Sequence, residues 1–202
     1  MKATSFAAML LGALVVGAFW ISPSISRAGL YDDEAKDVTK GDLNDQDYWW
    51  TAFDMTMLDL AIKQHQPEGP IALNLASTSR RLDDLEKKYP KHEGIKAWKA
   101  KVDEVNKKIG DADRGGSFKP GCPWNEANFG QAWVNYRWGK MQLDAKDENQ
   151  AYGLFANVKQ NFDILLRPDR MKDYPEDLRK WVEDHKEEVD KLVKELGAKT
   201  NH

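Results

Sequence analysis

Apolar residues recur at helical spacing through most of the chain after residue 43. The second of six such segments is the clearest, because its apolar positions follow one another in steps of four and three residues. They are Ile71, Leu75, Thr78, Leu82, Leu85 and Tyr89. That spacing places them on one face of an α-helix. No segment alternates between apolar and polar residues over a useful length, so the pattern predicts an all-α protein.

Glycine and proline residues mark the ends of six predicted helices. Pro67 and Gly69 end the first helix, and Gly110 closes the third. The predicted ranges are about 44–66, 70–89, 92–109, 124–146, 150–166 and 175–196. The connections are short apart from a glycine-rich loop at residues 110–123. We therefore expect about six antiparallel helices packed in a bundle.

The segments on the two sides of the glycine-rich loop resemble each other. Residues 75–85 overlay residues 155–165 at an offset of 80, with apolar residues coinciding at three positions. Further along, Trp98 corresponds to Trp181. One interpretation is a tandem duplication of three-helix halves, at residues 43–110 and 123–198. The other is that any two helical hairpins share this pattern, and both interpretations remain open.

The first 28 residues have the features of a secretory signal peptide. Lys2 gives a positive start, and residues 6–21 form an apolar run of 16. Ser-Arg-Ala at residues 26–28 fits the rule for cleavage, which makes Gly29 the expected mature N-terminus. An uncleaved anchor is the alternative, although a membrane span needs about 20 apolar residues. We expect export to the periplasm or the extracellular space, with membrane attachment only if the signal stays uncleaved.

The charge of the mature chain argues against a nucleic-acid partner. Removing the signal peptide leaves 28 basic and 33 acidic residues, a net charge of about −5. Residues 29–42 are polar and predict a flexible lead-in to a helical domain at 43–202. Basic residues in that domain are interleaved with acidic ones, as on a solvated helix face.

Cys122 is the only cysteine, so internal disulfides cannot stabilise the exported domain. It stands in Gly-Cys-Pro-Trp before the predicted fourth helix, where a helix N-terminus lowers a thiol pKa. A redox thiol, an intermolecular disulfide and a haem thiolate are the functional interpretations. An unreactive residue packed in a loop is the structural one, and we favour it.

His185 lies on the apolar face of the predicted sixth helix, with Glu188 three residues further on. A buried imidazole needs hydrogen-bond partners and can also bind a metal ion. The metal-binding motifs Glu-x-x-His and His-Glu-x-x-His are missing from the sequence. We therefore interpret His185 as a hydrogen-bonded core or boundary residue and predict no metal site.

Aromatic residues concentrate in the predicted first and fourth helices. The candidates for lining a ligand groove are Trp124, Trp133 and Trp138, together with Cys122 and His185. Core packing explains such residues more often than ligand binding does. The fourth helix is apolar over a wide arc and is expected to be the most buried. Trp49 and Trp50 are consecutive, so at least one is expected at an edge or an interface.

No sequence motif identifies a reaction. Nucleophile, dinucleotide and phosphate-binding motifs are missing, so we predict no catalytic residues and lean away from an enzyme. The sequence favours an exported, non-enzymatic helical protein that binds a protein partner, associates with itself or joins an envelope assembly. A bundle that binds haem, a metal or a small apolar molecule is the alternative, although we predict no cofactor. An enzyme that uses scattered acidic residues is the third hypothesis.

Overall fold

Helices account for most of the chain in the computed structural model, which describes residues 41–110, 114–172 and 174–200. The helices are α1 (Gln46–Lys63), α2 (Glu68–Lys88), α3 (Glu93–Ile109), α4 (Ala127–Asp144), α5 (Glu148–Leu165), α6 (Pro168–Met171) and α7 (Glu176–Thr200). A short 3-10 helix at Pro123–Asn125 precedes α4. The described residues contain no strand. The prediction of an all-α helical bundle is confirmed.

The helices follow one another in space in the order α3, α2, α1, α4, α5 and α7. Helices α1 to α3 form one group and α4 to α7 form another. The two groups meet where α1 packs on α4, and these two helices run antiparallel to each other. Gly130, near the start of α4, lies beside Phe53, whereas Trp138, near its end, bonds Asn44 just before α1. The predicted signal peptide and residues 29–40 of the lead-in lie outside the described residues.

Helices α1 and α4 are built alike. Each is 18 residues long, and His65 and Lys146 follow their ends with positive φ angles of 50° and 61°. In both cases the next residue donates its backbone N–H to the carbonyl five residues earlier, which closes the helix end. The last helix of each group also packs on the first. Trp98 of α3 contacts Tyr48 of α1, and Trp181 of α7 contacts Phe129 of α4. A duplication with halves 43–110 and 123–198 nevertheless stays a prediction.

Glycines in α4 let aromatic rings approach its backbone. A Cβ atom on Gly130 would lie 3.1 Å from the ring of Phe53, and one on Gly139 would lie 3.0 Å from the ring of Phe155. The half-buried Trp50 also lies at this contact, since a Cβ atom on Gly130 would lie 3.2 Å from its ring, whereas Trp49 is buried in the core. Helices α1 and α4 both bury residues around most of their circumference. We expected α4 to be the most buried helix, but α1 is buried to the same extent.

Two helix ends and one additional short helix distinguish the structure from the prediction. The fourth helix begins at Ala127 rather than at 124, because Glu126 caps it and residues 123–125 form the 3-10 helix. The last helix continues through Gly197 to Thr200, where the Thr200 hydroxyl donates to the carbonyl of Leu196. A proline at its first position starts the short helix α6, which the sequence pattern did not predict.

Candidate functional site

Trp124 is held by a buried carboxylate. Its indole Nε1–H donates to Asp54 of α1 at 3.0 Å, and its ring stacks on Phe118. The hydroxyl of Thr78 donates to the same carboxylate at 2.8 Å, and Arg81 forms an ion pair with it. Asp54 is only 7% exposed, so these three donors replace the water that the carboxylate loses on burial. The cluster joins α1, α2 and the 3-10 helix.

Asp54 is a residue that sequence analysis missed. It follows Phe53 within an apolar stretch of α1, where a buried acid is rare unless it is paired. An acidic residue within an apolar stretch was therefore the signal in the sequence that could have identified Asp54. Its partners could not be predicted, because Thr78 and Trp124 are 24 and 70 residues away along the chain.

Cys122 lies in the loop that Trp124 anchors. The loop is also fixed at Lys119, whose backbone N–H donates to Gln66 at 2.7 Å and whose amine donates to the carbonyl of His65. Cys122 is half-buried, and burial raises the pKa of its thiol, against a smaller lowering by a backbone hydrogen bond at Trp124. The expected lowering by a helix N-terminus is therefore wrong, because α4 starts five residues later and Glu126 occupies its cap.

Trp133 and Trp138 take different places on α4. Trp133 is 2% exposed at the seam with α1, where its ring lies 5.6 Å from that of Phe53. The guanidinium of Arg137 lies over the same ring at 4.3 Å. Trp138 is half-buried, and its Nε1–H donates to Asn44 at 2.7 Å. Trp133 thus packs in the core, whereas Trp138 forms a hydrogen bond with the segment that precedes α1.

His185 belongs to a polar cluster between α4 and α7. Its Nδ1 lies 2.7 Å from the carbonyl oxygen of Trp181, one turn earlier on α7. Because that carbonyl can only accept, Nδ1 carries the proton. The imidazole also packs edge-to-face against Tyr136 at 4.9 Å between ring centroids. His185 is therefore a hydrogen-bonded boundary residue in this structure.

Glu188 is the centre of that cluster. The Tyr136 hydroxyl donates to one of its carboxylate oxygens at 2.6 Å, and the Lys140 amine donates to the other at 2.7 Å. Burial alone would raise the pKa of Glu188, but the hydrogen bonds from Lys140 and Tyr136 outweigh it and lower the pKa. Burial raises the pKa of Tyr136, and the bond to Glu188 raises it further. Lys140 was missed, although it follows Tyr136 by four residues and so lies on the same helix face.

The five candidate residues do not share one set of partners. Trp124 contacts Asp54, Trp133 contacts Phe53 and Trp138 contacts Asn44. His185 contacts Tyr136 and Trp181, and Cys122 donates its backbone N–H to the carbonyl of Lys119. Two open surface hollows, of about 330 and 500 Å³, lie elsewhere on the bundle. Lys159, Asp163 and Arg167 line the first, and Asp147, Glu148 and Lys199 line the second. Neither hollow includes a candidate residue.

No three His, Cys, Asp or Glu side chains in residues 41–110, 114–172 and 174–200 are placed to hold a metal ion together. Across those ranges, each helix is too short or too polar to cross a bilayer.

Comparison with known proteins gives no relative. No family model, no curated protein and no solved structure matches this chain.

Proposed function

We propose that this chain is an exported, non-enzymatic helical protein that works by binding a protein partner, as an interaction or assembly component of the cell envelope. The observation that carries the proposal is that the polar groups near the core form hydrogen bonds between elements of the bundle. Asp54 and Glu188 each bond donors from other helices, and so hold the bundle together. Because these groups stabilise the fold, we assign the function to the surface of the molecule.

The ionisable groups of the His185 cluster support a role other than catalysis. A general acid or base works best with a pKa near the operating pH. The pKa of Tyr136 is raised from 10.0 and that of Glu188 is lowered from 4.5, so both move away from neutrality. The raised thiol pKa of Cys122 likewise makes it a poorer nucleophile than an exposed cysteine.

The hairpin of α1 and α2 is the surface that we assign to the partner. Among the described residues, Ile62 and Leu73 are the exposed large apolar side chains, at 45% and 54% exposure. Both lie close to the turn at residues 64–67, Ile62 at the end of α1 and Leu73 near the start of α2. Both side chains are already about half buried, so completing their burial would stabilise a complex by about 0.7–1.5 kcal/mol each, half of the value for a fully exposed side chain.

The alternative function, binding of haem, a metal or a small apolar molecule, has weaker support. It requires the aromatic candidates, Cys122 and His185 to line one cavity. Each instead has its own partners within the described residues. Protein binding is therefore the function that we carry forward.

Site-specific photo-crosslinking tests the proposal. A photoreactive amino acid is placed at Ile62 or at Leu73 of the full chain in its native cells, and at Glu187 on the exposed face of α7 as a control. We expect both hairpin positions to give an adduct of the same mass and Glu187 to give none. A monodisperse monomer without adducts from either hairpin position would overturn the proposal.

Export is tested separately, by sequencing the N-terminus of the protein recovered from fractionated cells. We expect a mature chain that starts at Gly29 in the periplasmic or extracellular fraction. A chain that retains Met1 and stays in the cytoplasm would contradict the export proposal and leave the binding proposal standing.

A further inference from the structure

His92 joins the first described residues of the chain to the start of α3. Its backbone caps the helix, and its Nδ1 accepts the backbone N–H of Ile95 at 3.2 Å. On the other side of the ring, Nε2 lies 2.5 Å from the carbonyl oxygen of Gly41. The ring also packs edge-on against Tyr48. One imidazole therefore connects two segments that are 51 residues apart.

The two partners fix where the proton of this imidazole lies. The backbone N–H of Ile95 can only donate, so Nδ1 must be unprotonated. The carbonyl oxygen of Gly41 can only accept, so Nε2 must carry the proton. Only the neutral ring with its proton on Nε2 satisfies both contacts.

Adding a second proton is incompatible with the cap. The Nδ1–H of an imidazolium would face the N–H of Ile95, and two donors cannot bond each other. The ring is rigid, so a rotation that relieves this contact also moves Nε2 away from Gly41. We propose that His92 is an acid-sensitive latch, which holds Gly41 on α3 when neutral and releases Gly41 and the first turn of α3 when protonated.

The neighbouring charged groups have hydrogen-bond partners other than the His92 ring. These pairs are Tyr48 with Asp42, Lys88 and Tyr89 with Asp45, and Lys96 with Glu93. Among the described residues, no carboxylate bonds the His92 ring. Protonation therefore removes the capping bond, and no carboxylate is already bonded to the ring to replace it.

Amide hydrogen exchange at Ile95 tests the latch in the intact protein. The protection factor, corrected for the intrinsic effect of pH, is compared at about pH 7.5 and about pH 5, the range in which histidines change charge. We expect it to fall about five-fold in acid, the equivalent of a typical N-cap contribution of about 1 kcal/mol. Asparagine accepts a capping bond at both pH values, so His92→Asn should abolish the change.

His65→Asn is the matched control. His65 is exposed at a positive φ that asparagine tolerates, and its side chain makes no part of the latch. This variant should keep the wild-type response. The nitrogen chemical shifts of His92 at neutral pH should show the proton on Nε2. Unchanged protection of Ile95 in acid, a response that persists in His92→Asn, or a neutral ring protonated on Nδ1 would each overturn the latch.

Discussion

The indole nitrogen of Trp124 donates to the carboxylate of Asp54 across 70 residues of sequence, at 3.0 Å. This bond fixes the loop that carries Cys122 to the centre of α1. Trp124 was a candidate for ligand binding, which stays a prediction, and its burial and hydrogen bond stabilise the fold.

Replacing Trp124 by phenylalanine keeps a ring and removes the donor. Because the acceptor is a buried carboxylate, we expect Trp124→Phe to lower the free energy of unfolding by about 1.5–3 kcal/mol. Urea denaturation followed by circular dichroism measures the change. Trp138→Phe is the control, since it removes the indole bond to the exposed Asn44, and should cost about 0.5–1 kcal/mol. Equal losses in the two variants would contradict the special role of the Asp54 cluster.

Much of the fold could be predicted because it depends on local patterns. Steps of three and four residues between apolar positions located every long helix, and α3 ends at Gly110, where the glycine indicated. The errors occur at helix ends, where a cap decides the outcome. Glu126 starts α4 later than the apolar pattern suggested, and Gly197 is buried within α7 rather than ending it.

The site was harder to predict because its bonds join distant residues. His185 was expected to be a hydrogen-bonded boundary residue, and the Nδ1 contact with Trp181 agrees with that. Tyr136, by contrast, meets Glu188 only because α4 packs beside α7, 52 residues later in the chain. No local signal reports such a pairing.

The bond between Tyr136 and Glu188 predicts a pH dependence of stability. The folded pKa of Glu188 is lowered, so its contribution is present above its unfolded pKa and is lost as the pH falls through the folded value. Tyr136→Phe should therefore destabilise the protein by about 1 kcal/mol at pH 7 and by less in acid. Urea denaturation at several pH values measures this. In the Glu188→Gln background the loss should no longer depend on pH, and a constant loss in the wild-type background would contradict the assignment.

Two glycines in helices give opposite expectations for substitution by alanine. Gly153 in α5 is exposed with no atom within 4 Å of an added Cβ, so Gly153→Ala should stabilise the protein by about 0.5–1 kcal/mol. At Gly139 the added Cβ would lie 3.0 Å from the fully buried ring of Phe155. Gly139→Ala should therefore destabilise it by about 1 kcal/mol or more through overpacking. Thermal denaturation compares the two, and equal stabilisation would show that α4 and α5 are not in close contact there.

The central claim is that the protein acts through the apolar surface of its α1–α2 hairpin. Its most direct test is the affinity of the partner captured at Leu73, purified and titrated by calorimetry against the wild-type chain and against Ile62→Ser/Leu73→Ser. Completing the burial of these two half-buried side chains is worth about 0.7–1.5 kcal/mol each, so the double variant should bind at least about ten-fold more weakly. Its helical content and unfolding midpoint should stay as in the wild type, because both side chains are exposed. An unchanged affinity in a folded double variant would contradict the account.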